Sequence, residues 1–275
     1  MKTILRTFTL LLLAAVPVWA GEGIAFISDM KGEIAIDGNP RPMLLSEVAK
    51  GQKITVSKDS QASVMYITTG KEYVLKGPAD YLVKDTEIAG NIMPPVSRST
   101  EWRTNARVLS QVSQTSAASV RMRSIAPAKP EVRQAAYPSE GSVATLQPVF
   151  RWSAADAQAA EFTLLQVGQD KPVHVAKSVT GSSYKLPAKL RPESDYTWTA
   201  VASGNEVGAG RFRTLSSDAL GRLEKRRPSG RSEFSDRLMY ALLLQEMGAT
   251  QEAREAWAKL SQERADLPEL SALSR

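Results

Sequence analysis

The sequence predicts a mainly β fold that ends in an α-helical hairpin, and three observations support this. In 21–88 and 137–215, apolar and polar residues alternate between turn signals rich in Gly and Pro, as they do in half-buried strands. In 216–275, apolar residues recur three and four positions apart, which is the spacing of an amphipathic helix. Between the two strand-rich regions, 89–136 is rich in Pro, Ser and Ala, which predicts a linker.

Residues 1–20 have the pattern of a cleaved signal peptide. Lys2 and Arg6 give a positive start, 10–16 is apolar, and Val18 and Ala20 suit the −3 and −1 positions of a cleavage site after Ala20. The apolar stretch is shorter than the ~20 residues of a spanning helix, which disfavours an uncleaved anchor. The chain contains no Cys, so it must be stabilised without disulfides, and it lacks the Cys of a lipoprotein. The sequence therefore predicts export to a bacterial periplasm.

The first strand-rich region, 21–88, predicts a small and mostly antiparallel β-domain. Ile34 and Ile36 share one face of a strand, and Asp37-Gly38 is a hairpin signal. The stretch 63–73 alternates on both sides of Gly70, which predicts two strands joined by a tight turn. Met65 and Ile67 place apolar groups on the face opposite to the core, so we expect part of this sheet to be covered on both sides.

Two stretches of this region carry a resemblance to a known family. They are “GEIAIDG”, from Gly32, and “SQASVMYITTGKEYVLKGPADYLV”, which ends at Val83, with Leu45 and Gly51 before the second stretch. An opening strand, a Gly-led turn and a closing Gly-Pro-x-aromatic motif in this order resemble a FecR-like domain. The resemblance implies a β-domain that passes ligand or stress information to a membrane signalling protein.

The second strand-rich region, 137–215, predicts a β-sandwich. “PVFRW”, “SDYTWTAVAS” and “GRFRTLS” are strand-like and follow one another at the intervals of a sandwich. The pattern resembles a fibronectin type III or related immunoglobulin-like module. Trp152, Tyr196 and Trp198 are its expected core aromatics.

The C-terminal region, 216–275, predicts two helices that meet at Gly248. Apolar residues recur at helical spacing on both sides of this glycine. Ala241, Gly248, Ala253 and Trp257 resemble one tetratricopeptide unit, although stable arrays usually need about three repeats. The apolar face must therefore be buried against a partner protein, a second copy of the chain or the neighbouring sandwich. Leu242 and Trp257 are accordingly predicted partner-binding residues.

A basic cluster connects the sandwich to the hairpin. The net charge is +6, and Lys2 and Arg6 supply two of these charges. The segment 222–231, “RLEKRRPSGR”, holds five cationic side chains against one Glu. It is either a solvated link or a contact surface for anionic lipid or an acidic partner, with Arg226 and Arg227 as predicted partner-binding residues. Export disfavours nucleic acid as a partner.

Residues for catalysis or metal binding are scarce. His174 is the only His, it lies between two valines, and no G-x-S-x-G motif presents a Ser to it. One His and no Cys make a zinc site unlikely to form. We therefore predict no catalytic, cofactor-binding or metal-binding residue and no cofactor. A hydrolase would require His174 or a carboxylate pair in a pocket.

Together these patterns predict a non-enzymatic, exported, modular binding protein of the envelope. It would act as a scaffold, or as the periplasmic sensor or partner of a membrane signalling protein. The alternative is a binding module for peptidoglycan or another envelope polysaccharide, which predicts that Tyr66, Tyr73 and Tyr81 are exposed. If they are not exposed, they pack the core of the first β-domain.

Overall fold

The chain is mainly β, with helices at its C-terminal end, as predicted. The computed structural model describes residues 23–104, 109–112, 114, 136–153 and 159–274. The predicted signal peptide and most of the predicted linker lie outside these residues.

Residues 23–104 form the first β unit, which consists of two antiparallel sheets. The five-stranded sheet has the order β3-β1-β5-β6-β9, and the four-stranded sheet has the order β2-β4-β7-β8. The strands are β1 (Gly23–Lys31), β2 (Ile34–Ile36), β3 (Glu47–Ala49), β4 (Lys53–Val56), β5 (Gln61–Tyr66), β6 (Lys71–Lys76), β7 (Ala79–Val83), β8 (Ile88–Gly90) and β9 (Val96–Ser99).

The boundaries of this unit agree in part with the sequence analysis. β5 and β6 are the two strands predicted in 63–73, and they meet at the turn that contains Gly70. Gly70 has a positive φ of 64°, and a Cβ there would collide with the carbonyl oxygen of Trp102, so the turn requires glycine. The unit extends beyond residue 88, where the sequence predicted a linker, because β9 pairs with β6.

The five-stranded sheet is covered on both faces, as Met65 and Ile67 predicted. Phe26 and Met65 are cross-strand partners on β1 and β5. Both pack with the C-terminal helices, whereas their strand neighbours Ile27 and Val64 pack against the four-stranded sheet. Successive side chains of a strand point to opposite faces, so this one sheet contributes to two separate cores.

The second β unit follows residue 136. A five-stranded sheet has the order β10-β16-β15-β12-β13, in which only β10 and β16 pair in parallel among the described strands, and β11 pairs with β14. Trp152, Tyr196 and Trp198 are buried among other aromatic rings, as predicted. The strands are β10 (Ser142–Val143), β11 (Val149–Arg151), β12 (Ala160–Gln166), β13 (His174–Val179), β14 (Ser183–Lys185), β15 (Asp195–Ala202) and β16 (Asn205–Thr214).

Helices complete the chain. The predicted hairpin is formed by α2 and α3, which join at Gly248, where φ is 73°. Among the described residues, no helix is both long and apolar enough to cross a membrane. The helices are α1 (Ser217–Lys225), α2 (Phe234–Glu246), α3 (Thr250–Glu263) and α4 (Pro268–Leu273).

The apolar face of the hairpin is buried within the chain, on a surface that the sequence analysis did not name. Leu238, Leu242 and Trp257 belong to the same core as Phe26 and Met65 of the first β unit. The second β unit, which the sequence analysis considered, meets the hairpin mainly through hydrogen bonds and ion pairs near its turn. The first unit covers the hairpin because one face of its five-stranded sheet is apolar, like the face of the hairpin that must be buried.

A buried polar network joins the hairpin to the same sheet face. Glu72 of β6 is 1% exposed and accepts hydrogen bonds from Arg98 Nε (2.5 Å) and Ser28 Oγ (2.7 Å). Arg98 also pairs with Asp236 of α2, with 3.1 Å from Nη1 to Oδ2. Asp236 accepts a further hydrogen bond from Trp102 Nε1 (3.0 Å). We call this network the Arg98 clasp, because Arg98 connects a carboxylate of the sheet to one of the helix.

A second set of polar contacts holds the end of α3 and helix α4. Arg264, just after α3, pairs with Asp29 of β1 and with Asp266, and its Nη2 donates to the carbonyl oxygen of Met30 (2.6 Å). The backbone N–H of Leu44 donates to Glu269 Oε1 of α4 (2.8 Å). Polar contacts thus fix the start of α2, the end of α3 and helix α4 to the first β unit.

We expect Arg98→Met to lower the free energy of unfolding by about 2 kcal/mol, because it leaves the buried Glu72 carboxylate without its cation. Urea unfolding followed by circular dichroism measures the loss. Lys84→Met is the matched control, since it breaks a pair with Glu87 in which both side chains are half exposed; its cost is expected to be much smaller, because water screens an exposed pair. Equal losses in the two variants would contradict the assigned role of the clasp.

Candidate functional site

A groove lies where the hairpin meets the second β unit. Its volume is about 530 Å³, and its walls come from three parts of the chain. α2 and α3 form two walls, and residues of 137–145 and of the link between α1 and α2 form the remaining side. Clefts between packed units are common positions for binding sites.

The helical walls arise from the helix repeat. Arg237, Tyr240 and Leu244 lie three and four residues apart on α2, and Glu252 and Lys259 lie seven apart on α3. Such spacings place side chains on one face of a helix. The packing of α2 against α3 then brings these two faces together around the groove.

The first turn of α3 positions the remaining wall. The hydroxyl of Tyr137 and the backbone N–H of Ala144 both donate to Glu252 Oε1, each at 2.8 Å. The backbone N–H of Ser139 donates to Gln251 Oε1 (2.8 Å). Two adjacent side chains of one helix thus hold the segment that leads into the second β unit.

Glu252 has the most unusual hydrogen bonding among the groove residues. Both of its hydrogen bonds reach Oε1, while Oε2 is buried and has no hydrogen-bond partner among the described residues. Burial raises the pKa of this carboxyl, and Glu255 raises it further, against the lowering effect of the two hydrogen bonds. Burial also raises the pKa values of Tyr137 and Tyr240, so both phenols stay protonated. Burial therefore shifts the equilibrium of the Glu252 carboxyl towards its protonated form.

Three cations line the groove. Arg237 pairs with Glu263, but its Nε is buried and has no acceptor among the described residues. Arg227 Nε pairs with the exposed Glu224 at 3.0 Å. Lys259 is exposed and has no ion pair within the described part of the chain. The groove therefore offers cationic donors that internal carboxylates do not fully use.

The four predicted partner-binding residues have different positions. Arg227 lines the groove. Arg226 lies over the ring of Trp102, 5.7 Å from its centroid, and donates to the carbonyl oxygen of Glu101 (3.0 Å). Leu242 and Trp257 are 2% and 1% exposed, and they pack inside the chain. Partner binding by these residues stays a prediction, and only the two arginines present a surface for it.

The other candidate residues serve packing. His174 Nε2 lies 2.6 Å from the hydroxyl of Tyr184, and the two rings stack. Tyr66, Tyr73 and Tyr81 are buried and pack the core of the first β unit, so the exposed tyrosines that the polysaccharide alternative predicts are not observed. Each hydroxyl reaches a backbone carbonyl, which lets an amphipathic ring lie in an apolar core. Where side chains are described, no three His, Cys, Asp or Glu residues are grouped to hold a metal ion.

Comparison with models of protein families found no match, and comparison with curated protein sequences found none either. The resemblances described above therefore rest on the sequence patterns quoted for them.

Most residues of this groove were not predicted from the sequence. Tyr137, Tyr240, Glu252 and Lys259 were not candidates, because each looks ordinary in its local segment. Helical spacing alone could have placed Tyr240 and Lys259 on the faces of their helices. It could not have shown that Tyr137, more than a hundred residues away from Glu252, completes the site.

We expect Glu252→Gln to change how stability depends on pH. The pKa of Glu252 is raised in the folded state, so its contribution is complete below the unfolded value of about 4.3 and is lost as pH rises through the folded pKa. The native protein should therefore lose stability relative to Glu252→Gln when pH increases from about 4 to about 7. Urea unfolding of both proteins across this range measures the difference. A difference that stays constant with pH would show that burial does not perturb this carboxyl.

Proposed function

We propose that this chain is a non-enzymatic, exported, modular binding protein of the bacterial periplasm. In this proposal it acts as a scaffold, or as the periplasmic sensor or partner of a membrane signalling protein. The observation that carries the proposal is the position of the hairpin: it packs on the first β unit and holds the second one, with an open, charged groove at the second contact.

The modular construction of the chain supports this proposal. The two β units bury their own aromatic and aliphatic cores, and the hairpin links them. We propose that the first unit is a FecR-like domain, the second a fibronectin type III or immunoglobulin-like sandwich, and the hairpin a tetratricopeptide-like unit. Modules of these types serve recognition and assembly, and function depends on the sites that they present.

The groove supplies the contact surface of the proposal. It combines aromatic and aliphatic side chains, such as Tyr240 and Leu244, with cations that include Arg227 and Lys259. Arg and Tyr are enriched at the centres of protein–protein interfaces, where they combine apolar area with directed hydrogen bonds. A protein partner is therefore a better match to this surface than a small apolar ligand.

Photo-crosslinking in intact cells tests the proposal. A photo-crosslinking amino acid replaces either Lys259, in the groove, or Lys189, which is exposed on a loop after β14. We expect the Lys259 position alone to yield an adduct with a protein that has a membrane-spanning segment and a periplasmic domain. Adducts with glycan fragments would favour the polysaccharide alternative instead. Identical adduct patterns at the two positions, or substrate turnover by the purified chain, would contradict the proposal.

A further inference from the structure

We infer that residues 91–96, which lead from the end of β8 into the start of β9, dock on a phospholipid bilayer and place their apolar side chains at the boundary between headgroups and acyl chains. We call this segment the apolar loop. The inference goes beyond the proposed function, because it concerns lipid rather than a protein partner and a part of the chain away from the groove.

The apolar loop holds the most exposed large apolar side chains of the described chain. Ile92 is 76% exposed, Val96 65% and Met93 41%, and Pro94 beside them is also exposed. Elsewhere among the described residues, no large apolar side chain is more than 46% exposed. Apolar side chains that are exposed together in water gain free energy when an apolar phase covers them.

The start of the loop is fixed to the strands beside it. The N–H of Asn91 donates to the carbonyl oxygen of Asp80, and Asn91 Oδ1 accepts from the N–H of Asp80, each at 3.0 Å. A Cβ at Gly90 would lie 2.0 Å from the carbonyl oxygen of Met93, so glycine is required for the loop to fold back this closely. A loop that is already ordered loses little conformational entropy when it docks.

The loop carries no charge and has few free hydrogen-bond donors. No Asp, Glu, Lys or Arg lies between Glu87 and Arg98. Pro94 and Pro95 have no backbone N–H, and Asn91 uses its own within the chain. An apolar environment penalises charges and unpaired N–H groups. This composition therefore suits contact with lipid.

A bilayer fits the apolar loop better than a protein surface does. A stable protein interface buries about 800 Å² per partner, and its centre is enriched in aromatic residues and Arg. The loop is a short segment of Ile, Met, Pro and Val without an aromatic residue. A fluid bilayer boundary accepts such side chains without a complementary shape, and binding strength follows the apolar area that enters it.

The charges near the loop almost balance. Lys76, at the end of the strand that pairs with β9, is exposed and has no ion pair among the described residues. Asp80 pairs with Lys53, with 3.7 Å from Nζ to Oδ2. The turn between β4 and β5 adds Lys58 and Asp59, which have opposite charges. Apolar insertion, rather than attraction to anionic lipid, therefore carries the binding.

Co-sedimentation of the purified chain, without its predicted signal peptide, with phospholipid vesicles tests the inference. The vesicles contain phosphatidylcholine, alone or with about one quarter phosphatidylglycerol. We expect the native chain to bind both within about threefold, and Ile92→Asn to bind about tenfold more weakly. Binding should persist at about 0.5 M salt, which screens exposed charges.

Two further variants control this experiment. Val173→Asn makes the matched change at a valine that is 46% exposed in the loop before β13, and it should bind as the native chain does. Ile92→Leu keeps the apolar surface of the loop and should also bind as the native chain does.

Several outcomes would overturn the inference. These are no vesicle binding by the native chain, equal weakening by Ile92→Asn and Val173→Asn, and loss of binding at high salt. Weakening by Arg227→Gln but not by Ile92→Asn would assign the lipid contact to the basic cluster instead. A native dimer that Ile92→Asn dissociates in sedimentation velocity would make the loop an interface between copies of the chain. None of these outcomes bears on crosslinking at Lys259, so the inference and the proposed function can fail separately.

Discussion

The structure depends on one shared surface, the outer face of the five-stranded sheet of the first β unit. Phe26, Met65 and Ile67 make this face apolar, and the hairpin covers it with Leu238 and Trp257. Burial of apolar area supplies the stabilisation, at roughly 25 cal/mol per Å² removed from water. Such burial is not directional, so it cannot by itself orient the helices. The Arg98 clasp adds direction, because its hydrogen bonds have defined partners and geometry.

The position of the hairpin also determines where the second β unit lies. The turn end of the hairpin projects beyond the first unit and meets residues 136–144. There the contacts are mostly polar, with Gln251 and Glu252 accepting or donating several hydrogen bonds. Polar contacts of this kind resemble transient interfaces more than a continuous core. The hairpin therefore has a largely apolar contact with the first β unit and a largely polar contact with the second. The polar contact is the weaker of the two.

Local patterns predicted the strands on both sides of Gly70 and the helical hairpin, but not β9, which lies where a linker was predicted. The alternation around Gly70 and the spacing of Ala253 and Trp257 each report on a few neighbouring residues, and a strand or helix needs little more. The alternation also showed that Met65 and Ile67 required a cover. It could not identify that cover, because the hairpin is far away in sequence and a sandwich or second copy offers similar chemistry.

The groove shows the same limit more strongly. Arg227 was a candidate because cationic residues cluster around it in the sequence. Glu252 was not, because a Glu in the first turn of a helix usually stabilises the helix dipole in water. Its raised pKa comes from burial, which only tertiary structure produces, and the hydrogen bonds from Tyr137 and Ala144 oppose that shift in part. A site formed between units is therefore visible in sequence as separate, ordinary residues.

The closing contacts between the two ends of the chain affect the order in which the molecule can form. Asp29 and Arg264 are 235 residues apart, and Leu44 and Glu269 are 225 apart. Closing such long loops costs entropy before the contacts repay it, and it slows folding. During synthesis, the helices that cover the apolar outer face of β1 and β5 emerge after the strands themselves. Until these helices pack on it, the newly made chain exposes part of an apolar sheet face, and during that interval it is exposed to misassembly.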